Sequence, residues 1–87
     1  MATAPDAGFL IQIGAFQSAP EAERQLAFVR ERAAATLRTR AGLTQPVKLG
    51  DRTLYRARYA GFEAQGAAQA CKELRQLKID CLVVRAD

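Results

Sequence analysis

The most informative segment of this chain is Gly8-Phe9-Leu10-Ile11-Gln12-Ile13-Gly14-Ala15-Phe16, a short apolar run with one amide in its middle. The run is too short for a durable helix, and the β-branched pair Ile11 and Ile13 favours a pleated surface. It therefore predicts a buried central strand that ends in a turn at Gly14. Alternation along a strand sends Gln12 to the side opposite Ile11 and Ile13. Because an amide needs water or a polar partner, we expect Gln12 to lie on a face of the sheet that is open to solvent.

Length and composition are those of one small globular domain. The chain has 87 residues, of which 49% are hydrophobic and 25% charged, enough for a single two-layer core. We expect residues 1–7 to form a flexible tail and residues 8–87 to form the domain. The net charge is +4, with the basic residues concentrated between positions 30 and 58. Such a balance favours an anionic partner, which leaves nucleic acid, a membrane surface and an acidic polysaccharide as candidates.

Several protein classes lack support in the sequence. No window is long and apolar enough to span a bilayer, and the N-terminus lacks the layout of a signal peptide, so we expect a soluble chain without direct membrane insertion. There is no histidine, no nucleophile beside a base, and no carboxylate pair on one expected surface. The sequence therefore predicts no catalytic residue, no metal ligand and no cofactor, and we expect that the domain is not an enzyme.

A helix is predicted to follow the first strand. Ser18 and Glu21 have the spacing of a capping box. In this motif the Ser18 side chain accepts from the Glu21 N–H, and the Glu21 carboxylate reaches back to a backbone N–H at the start of the helix. An apolar stripe at helical spacing then predicts an amphipathic helix of about twenty residues. We expect this helix to fray between Leu37 and Gly42, with Gly42 as its C-cap. The basic residues from Arg30 to Arg40 are expected to form a solvated helix face.

Two strands are predicted in the middle of the chain. The segment Gln45–Leu49 is short and contains Pro46, which suits an edge strand where a missing N–H costs little. The segment Leu54–Ala60 alternates, and Arg56 and Arg58 share one side of it. Two unpaired arginines do not enter a small core, so this side is expected to be open to solvent, like the side that carries Gln12.

The second half of the chain repeats the pattern of the first. A second glycine and phenylalanine pair, Gly61-Phe62, precedes a helix with a poorly capped start around residues 64–66, and Ile79–Arg85 is the last predicted strand. The order strand, helix, strand, strand, helix, strand predicts an α+β fold of ferredoxin-like or RNP-like βαββαβ type. Both helices are expected on one face of a four-stranded antiparallel sheet, with strands one and three at its centre.

Two motifs resemble those of a known family, the SPOR domain, a sporulation-related repeat at the ends of bacterial cell-wall and division proteins. Ile11-Gln12-Ile13-Gly14-Ala15-Phe16 is similar to its first motif, hydrophobic-Gln-hydrophobic-Gly-small-Phe. Tyr55-Arg56-Ala57-Arg58-Tyr59-Ala60-Gly61-Phe62 is similar to its second motif, Tyr-Arg-Val-x-hydrophobic-Gly-Pro-Phe. The resemblance covers the chain from Phe9 to Arg85.

The resemblance implies a function and a set of site residues. It implies non-catalytic binding of peptidoglycan glycan strands that lack stem peptides, which would recruit a parent protein to the division septum or to other places of wall remodelling. We expect a monomeric, periplasmic domain excised from that longer exported protein. Several members have serine or asparagine where Ala15 stands and tryptophan where Leu54 stands. The ligand would lie on the bare sheet face. The expected ligand-binding residues are Gln12, Ala15, Leu54, Arg56, Arg58 and Leu82.

The cysteines permit either two buried thiols or one disulfide. Cys71 lies about 9 Å before the expected helix end, and a returning strand covers that distance in about three residues, which brings Cys81 level with Cys71. We expect a Cys71–Cys81 disulfide, which a periplasmic location would allow to form. Two buried thiols are the alternative.

Two other functions share the predicted topology. An RNA-binding module has the same strand order and a bare basic sheet, but stacks bases on aromatic residues of the central strands. Here the open side carries no aromatic residue, and for this reason we expect no nucleic acid as partner. A protein-interaction module is the second alternative, with Leu54, Leu82 and Val84 as its apolar patch.

Overall fold

The computed structural model describes residues 8–86, so the tail expected at residues 1–7 lies outside the described part. The strands pair antiparallel in one sheet of order β2-β3-β1-β4. The predicted α+β class and the central position of the first and third strands are therefore confirmed. In chain order the elements are β1 (Phe9–Phe16), α1 (Ala19–Arg32), α2 (Ala34–Leu37), β2 (Ala41–Leu49), β3 (Arg52–Phe62), α3 (Ala64–Gln76) and β4 (Leu82–Arg85).

The core lies between one face of the sheet and the two longer helices. Ile11 of β1 and Tyr59 of β3 are fully buried against Leu26 of α1 and Leu74 of α3. The Tyr59 hydroxyl donates to the backbone carbonyl of Leu26, so the polar end of this buried ring is satisfied. Both helices thus cover the same face. Within residues 8–86, no helix has the length and apolar character needed to cross a membrane.

The capped start of α1 follows the prediction, but its end does not. The Ser18 hydroxyl accepts from the Glu21 N–H at 3.2 Å, and the Glu21 carboxylate accepts from the Gln17 N–H at 3.3 Å. The predicted helix of about twenty residues is wrong, because α1 has 14 residues and the chain leaves helical geometry at Ala33 before the four-residue α2. Gly42 is not a C-cap either. It lies in β2 opposite Tyr59, where a Cβ would come within 3.3 Å of the ring.

Arginine side chains hold the connection between α2 and β2, which corrects the expectation of a purely solvated basic face. Arg30 donates to the carbonyls of Leu37 at 2.7 Å and Arg40 at 2.9 Å, and it stacks over the Tyr59 ring. Arg40 stacks over the Phe62 ring and donates to the Gly61 carbonyl. Arg30 thus satisfies carbonyls at and just after the end of α2, and Arg40 joins this connection to β3.

Strand bounds also differ from the predicted ones. Pairing with β3 extends β2 back to Ala41, four residues before the predicted start. The last strand is shorter than predicted because the chain up to Cys81 still packs against α3, and only Leu82–Arg85 pairs with β1. The poorly capped second helix is confirmed: α3 begins at Ala64, and no side chain caps its first turn.

Candidate ligand-binding site

A β-bulge near the end of β1 determines which residues face away from the helices. Gln12 pairs with Arg58 and Gly14 pairs with Ala57, so between these two pairs β1 contains one residue more than β3. The bulge shifts the alternation by one residue. Ala15, three positions after Gln12, consequently lies on the same side of the sheet as Gln12.

The same bulge explains the glycine and the phenylalanine of the first motif. Gly14 lies opposite the fully buried Ala57, on the side of the sheet that the helices cover. A Cβ at Gly14 would come within 2.8 Å of Cζ of the Phe16 ring, which packs against the core. Gly14 is therefore required by the close approach of the ring.

We call the side of the sheet opposite the helices the open face. Strand pairing places all six predicted site residues on it, together with residues of β2 that the sequence did not single out. Leu10 points to this side as well, but it is only 7% exposed and lies beneath the surface. The open face includes Gln12, Ala15, Leu43, Gln45, Val47, Leu54, Arg56, Arg58, Leu82 and Val84, and it continues to Leu49 and Arg52 at the end of the β2–β3 pair.

A guanidinium group links three strands at the centre of the open face. Arg58 of β3 donates through Nε to Oε1 of Gln12 in β1 at 2.8 Å, and through Nη1 to Oε1 of Gln45 in β2 at 2.6 Å. Gln12 and Arg58 are half-buried, and Gln45 is exposed. These bonds fix the two amides and the guanidinium with respect to one another.

Arg56 is the second cation at the centre of the open face and differs from Arg58 in its contacts. It lies between Ala15 of β1 and Gln45 of β2, and among residues 8–86 its guanidinium has no hydrogen-bond acceptor. Burial, and then the charge of Arg56, lower the pKa of Arg58, although an arginine stays protonated. Among residues 8–86 neither of these adjacent cations hydrogen-bonds to a carboxylate, so a bound anion would stabilise both.

Apolar side chains flank the polar centre on both sides. Leu82 of β4 pairs with Gln12 and is 57% exposed, while Leu54 of β3 pairs with Val47 at the opposite side. A shallow cavity of about 300 Å³ lies between Gln12 and Leu82, with Asp80 at its rim. A polar centre with apolar flanks suits a ligand that carries charged and apolar groups side by side.

The disulfide lies directly beneath this edge of the site. Cys71 of α3 and Cys81 are bonded, with their Cα atoms 5.1 Å apart. Arg75 donates to the Cys81 carbonyl at 2.7 Å. Because Leu82 is the next residue, both contacts fix the start of β4 beside Gln12.

Gln45 is the polar residue of the site that sequence reasoning missed. The predicted edge strand began at Gln45, so its neighbours could not be assigned. Its alternation with Val47 indicated only that both side chains share a face. Pairing of β2 with β3 supplies the missing fact, because it sets Gln45 opposite Arg56 and within reach of Arg58.

The comparison with protein families identifies the class of this domain. The SPOR domain model matches residues 5–85, and the chain belongs to the SPOR domain family. No curated protein sequence matches it significantly.

Two solved structures share the fold at low sequence identity. One is the crystal structure of the RlpA SPOR domain from Pseudomonas aeruginosa, with a TM-score of 0.71 and 20% identity over 90% of this chain and 99% of that one. The other is the solution structure of the peptidoglycan-binding domain of the B. subtilis cell wall lytic enzyme CwlC. It has a TM-score of 0.67 and 17% identity, with both chains covered in full. These similarities establish that this chain has the fold of SPOR domains.

Proposed function

We propose that this domain binds peptidoglycan glycan strands that lack stem peptides, without catalysing a reaction, and thereby localises a parent protein in the cell envelope. The observation that carries the proposal is the guanidinium of Arg56, which has no hydrogen-bond acceptor among residues 8–86 and lies beside the amide-bound Arg58 on the open face. Membership of the SPOR family and the peptidoglycan-binding description of the CwlC domain support peptidoglycan as the ligand.

The chemistry of the ligand matches that of the open face. Removal of a stem peptide leaves a free lactyl carboxylate on the muramic residue, and a guanidinium donates paired hydrogen bonds to such a carboxylate. The Gln12 amide suits the hydroxyl and N-acetyl groups of the same strand. The exposed Leu82 side chain offers contact to the apolar faces of the sugar rings.

Binding to purified sacculi tests the proposal. We expect the domain to sediment with sacculi and to do so more strongly after amidase treatment, because only denuded strands expose lactyl carboxylates. Arg56→Ala should weaken binding roughly ten- to a hundredfold through loss of a charge-assisted hydrogen bond. Added salt should weaken binding of the parent more than that of Arg56→Ala.

Arg38→Ala is the matched control, because it removes one positive charge from an exposed position at the end of α2, away from the open face. It should leave binding nearly unchanged. Equal losses from Arg38→Ala and Arg56→Ala, with none from Gln12→Ala, would show diffuse attraction by net charge and contradict the proposed site. Failure of amidase treatment to increase binding would contradict the proposed ligand.

A further inference from the structure

Gln45, Arg58 and Gln12 form a row across three neighbouring strands. Arg58 stands in the middle and uses two of its donors on the Oε1 atoms of the glutamines, at 2.8 Å from Gln12 and 2.6 Å from Gln45. The outer strands are two strand spacings apart, about 9.6 Å. The row therefore extends the site from β1 to the edge strand β2.

The orientation of both amides follows from the chemistry of Arg58. A guanidinium group carries five N–H donors and no acceptor, so each glutamine must turn its oxygen toward Arg58. Each Nε2 group, with two N–H donors, is then directed away from the guanidinium. Among residues 8–86, neither Nε2 donates to another group.

The open face consequently offers donors and almost no acceptors. The amide groups of Gln12 and Gln45 present N–H donors, and the Arg56 guanidinium adds five more. None of the residues named above for the open face is an aspartate or glutamate, although Asp80 lies at the rim of the cavity beside Gln12. Each amide oxygen already accepts one hydrogen bond from Arg58. A ligand that also presents donors, above all a cationic amine, would leave these groups unpaired and add like-charge repulsion.

We infer that Arg58 is a positioning residue, which orients Gln12 and Gln45 so that both present N–H donors, and that Gln45 is a further specificity residue. The site therefore selects N-acetylated, carboxylate-bearing glycan and rejects N-deacetylated glycan. The inference rests on the proposed function and defines the ligand further. The acetamido carbonyl and the lactyl carboxylate are acceptors, whereas deacetylation replaces the acetamido group by an ammonium with donors only.

Replacing Gln45 by glutamate tests its role in specificity. Gln45→Glu keeps the partner of Arg58 but exchanges the N–H donors for carboxylate oxygens, and we expect affinity for amidase-treated sacculi to fall about tenfold. Gln65→Glu makes the same change of charge at an exposed position of α3, across the sheet from the open face, and should have little effect. If the fold-loss of affinity in Gln45→Glu is less than about three times the fold-loss in Gln65→Glu, the proposed role of Gln45 is wrong.

A change in the glycan tests the ligand class. Amidase-treated sacculi are divided, and one half is N-deacetylated before the binding measurement. We expect the parent domain to bind the deacetylated half at least fivefold more weakly, a difference of about 1 kcal/mol. If the parent binds amidase-treated sacculi and deacetylation changes its affinity by less than this, the inference fails while the proposed function stands. If it does not bind amidase-treated sacculi at all, the proposed function fails.

The positioning role of Arg58 is tested by a double-mutant cycle. Arg58→Lys keeps the charge but not the planar fork that holds two amides. If Arg58 acts through Gln45, the loss of sacculus binding in Arg58→Lys/Gln45→Ala should be no greater than the larger single loss. Additive losses would overturn the positioning role.

An NMR measurement on the free domain needs no ligand. We expect the side-chain amides of Gln12 and Gln45 to be as rigid as the backbone in the parent, by heteronuclear NOE, and mobile in Arg58→Lys. Amides that are equally mobile in both proteins would overturn the positioning role independently of any glycan.

Discussion

At the scale of single residues, Gly14 is held by the close approach of the Phe16 ring. A Cβ at this position would lie 2.8 Å from Phe16 Cζ, so Gly14→Ala must displace the ring. We expect a loss of about 1–3 kcal/mol in the free energy of unfolding, as for other overpacked positions. Urea unfolding followed by circular dichroism measures it.

Gly66 provides the matched control. It lies inside α3, and an added Cβ would meet only Phe62 at 3.8 Å, an ordinary contact. Gly66→Ala should stabilise the domain by up to about 1 kcal/mol, because alanine favours a helix. In a Phe16→Ala background, the cost of Gly14→Ala should shrink. An undiminished cost would show that the ring is not the cause.

Ionisation of the buried Tyr59 is expected to lower the stability of the domain at alkaline pH. Burial raises the pKa of Tyr59 above its ordinary value of 10.0, although the charge of Arg30 acts in the opposite direction. The folded state therefore retains a proton that the unfolded state loses, and this contribution is complete below the unfolded pKa and is lost as pH rises through the folded one. We expect stability to fall more steeply above about pH 10 in the parent than in Tyr59→Phe. Urea unfolding at about pH 8 and pH 11 measures the difference, and equal declines would contradict it.

At the scale of elements, the Cys71–Cys81 disulfide joins α3 to the start of β4. The cysteines are 10 residues apart in sequence. Closing such a loop lowers the conformational entropy of the unfolded chain and so raises the free energy of unfolding by about 3 kcal/mol. We expect reduction, or the Cys71→Ala/Cys81→Ala variant, to lower the melting temperature by roughly 10–20 °C. Thermal unfolding with and without a thiol reductant measures the shift. Mass spectrometry of the protein exported to the periplasm tests whether the bond forms there, and two free thiols would contradict it.

At the scale of the whole molecule, the charge of the open face opposes self-association. A two-fold dimer through this face would place Arg56 and Arg58 of one copy against the same cations of the other. We therefore expect a monomer of 9.5 kDa in solution. Light scattering after size-exclusion chromatography measures the mass, and a mass that doubles with rising concentration would contradict the prediction.

The sequence by itself determined the element order and the side on which most site residues lie. Apolar periodicity is a local property, so the alternation around Gln12 and between Arg56 and Arg58 predicted their common face without any knowledge of distant contacts. The same periodicity predicted α3, and the lack of a capping residue before it predicted its poorly capped start. Helix and strand ends were less accurate, because they depend on contacts that no local pattern encodes. Arg30 binds carbonyls in the connection after α2, and pairing with β3 and β1 sets the ends of β2 and β4.

Only the tertiary structure decided which side chains of the open face meet. Strand register results from the pairing of segments distant in sequence, and a shift of one residue would send a strand's side chains to the other face. Register brings Gln45 within 2.6 Å of Arg58, and the bulge at Gly14 turns Ala15 onto the side of Gln12. Both depend on the energy of the packed sheet as a whole, because Gly14 must accommodate Phe16 while β1 pairs with β3.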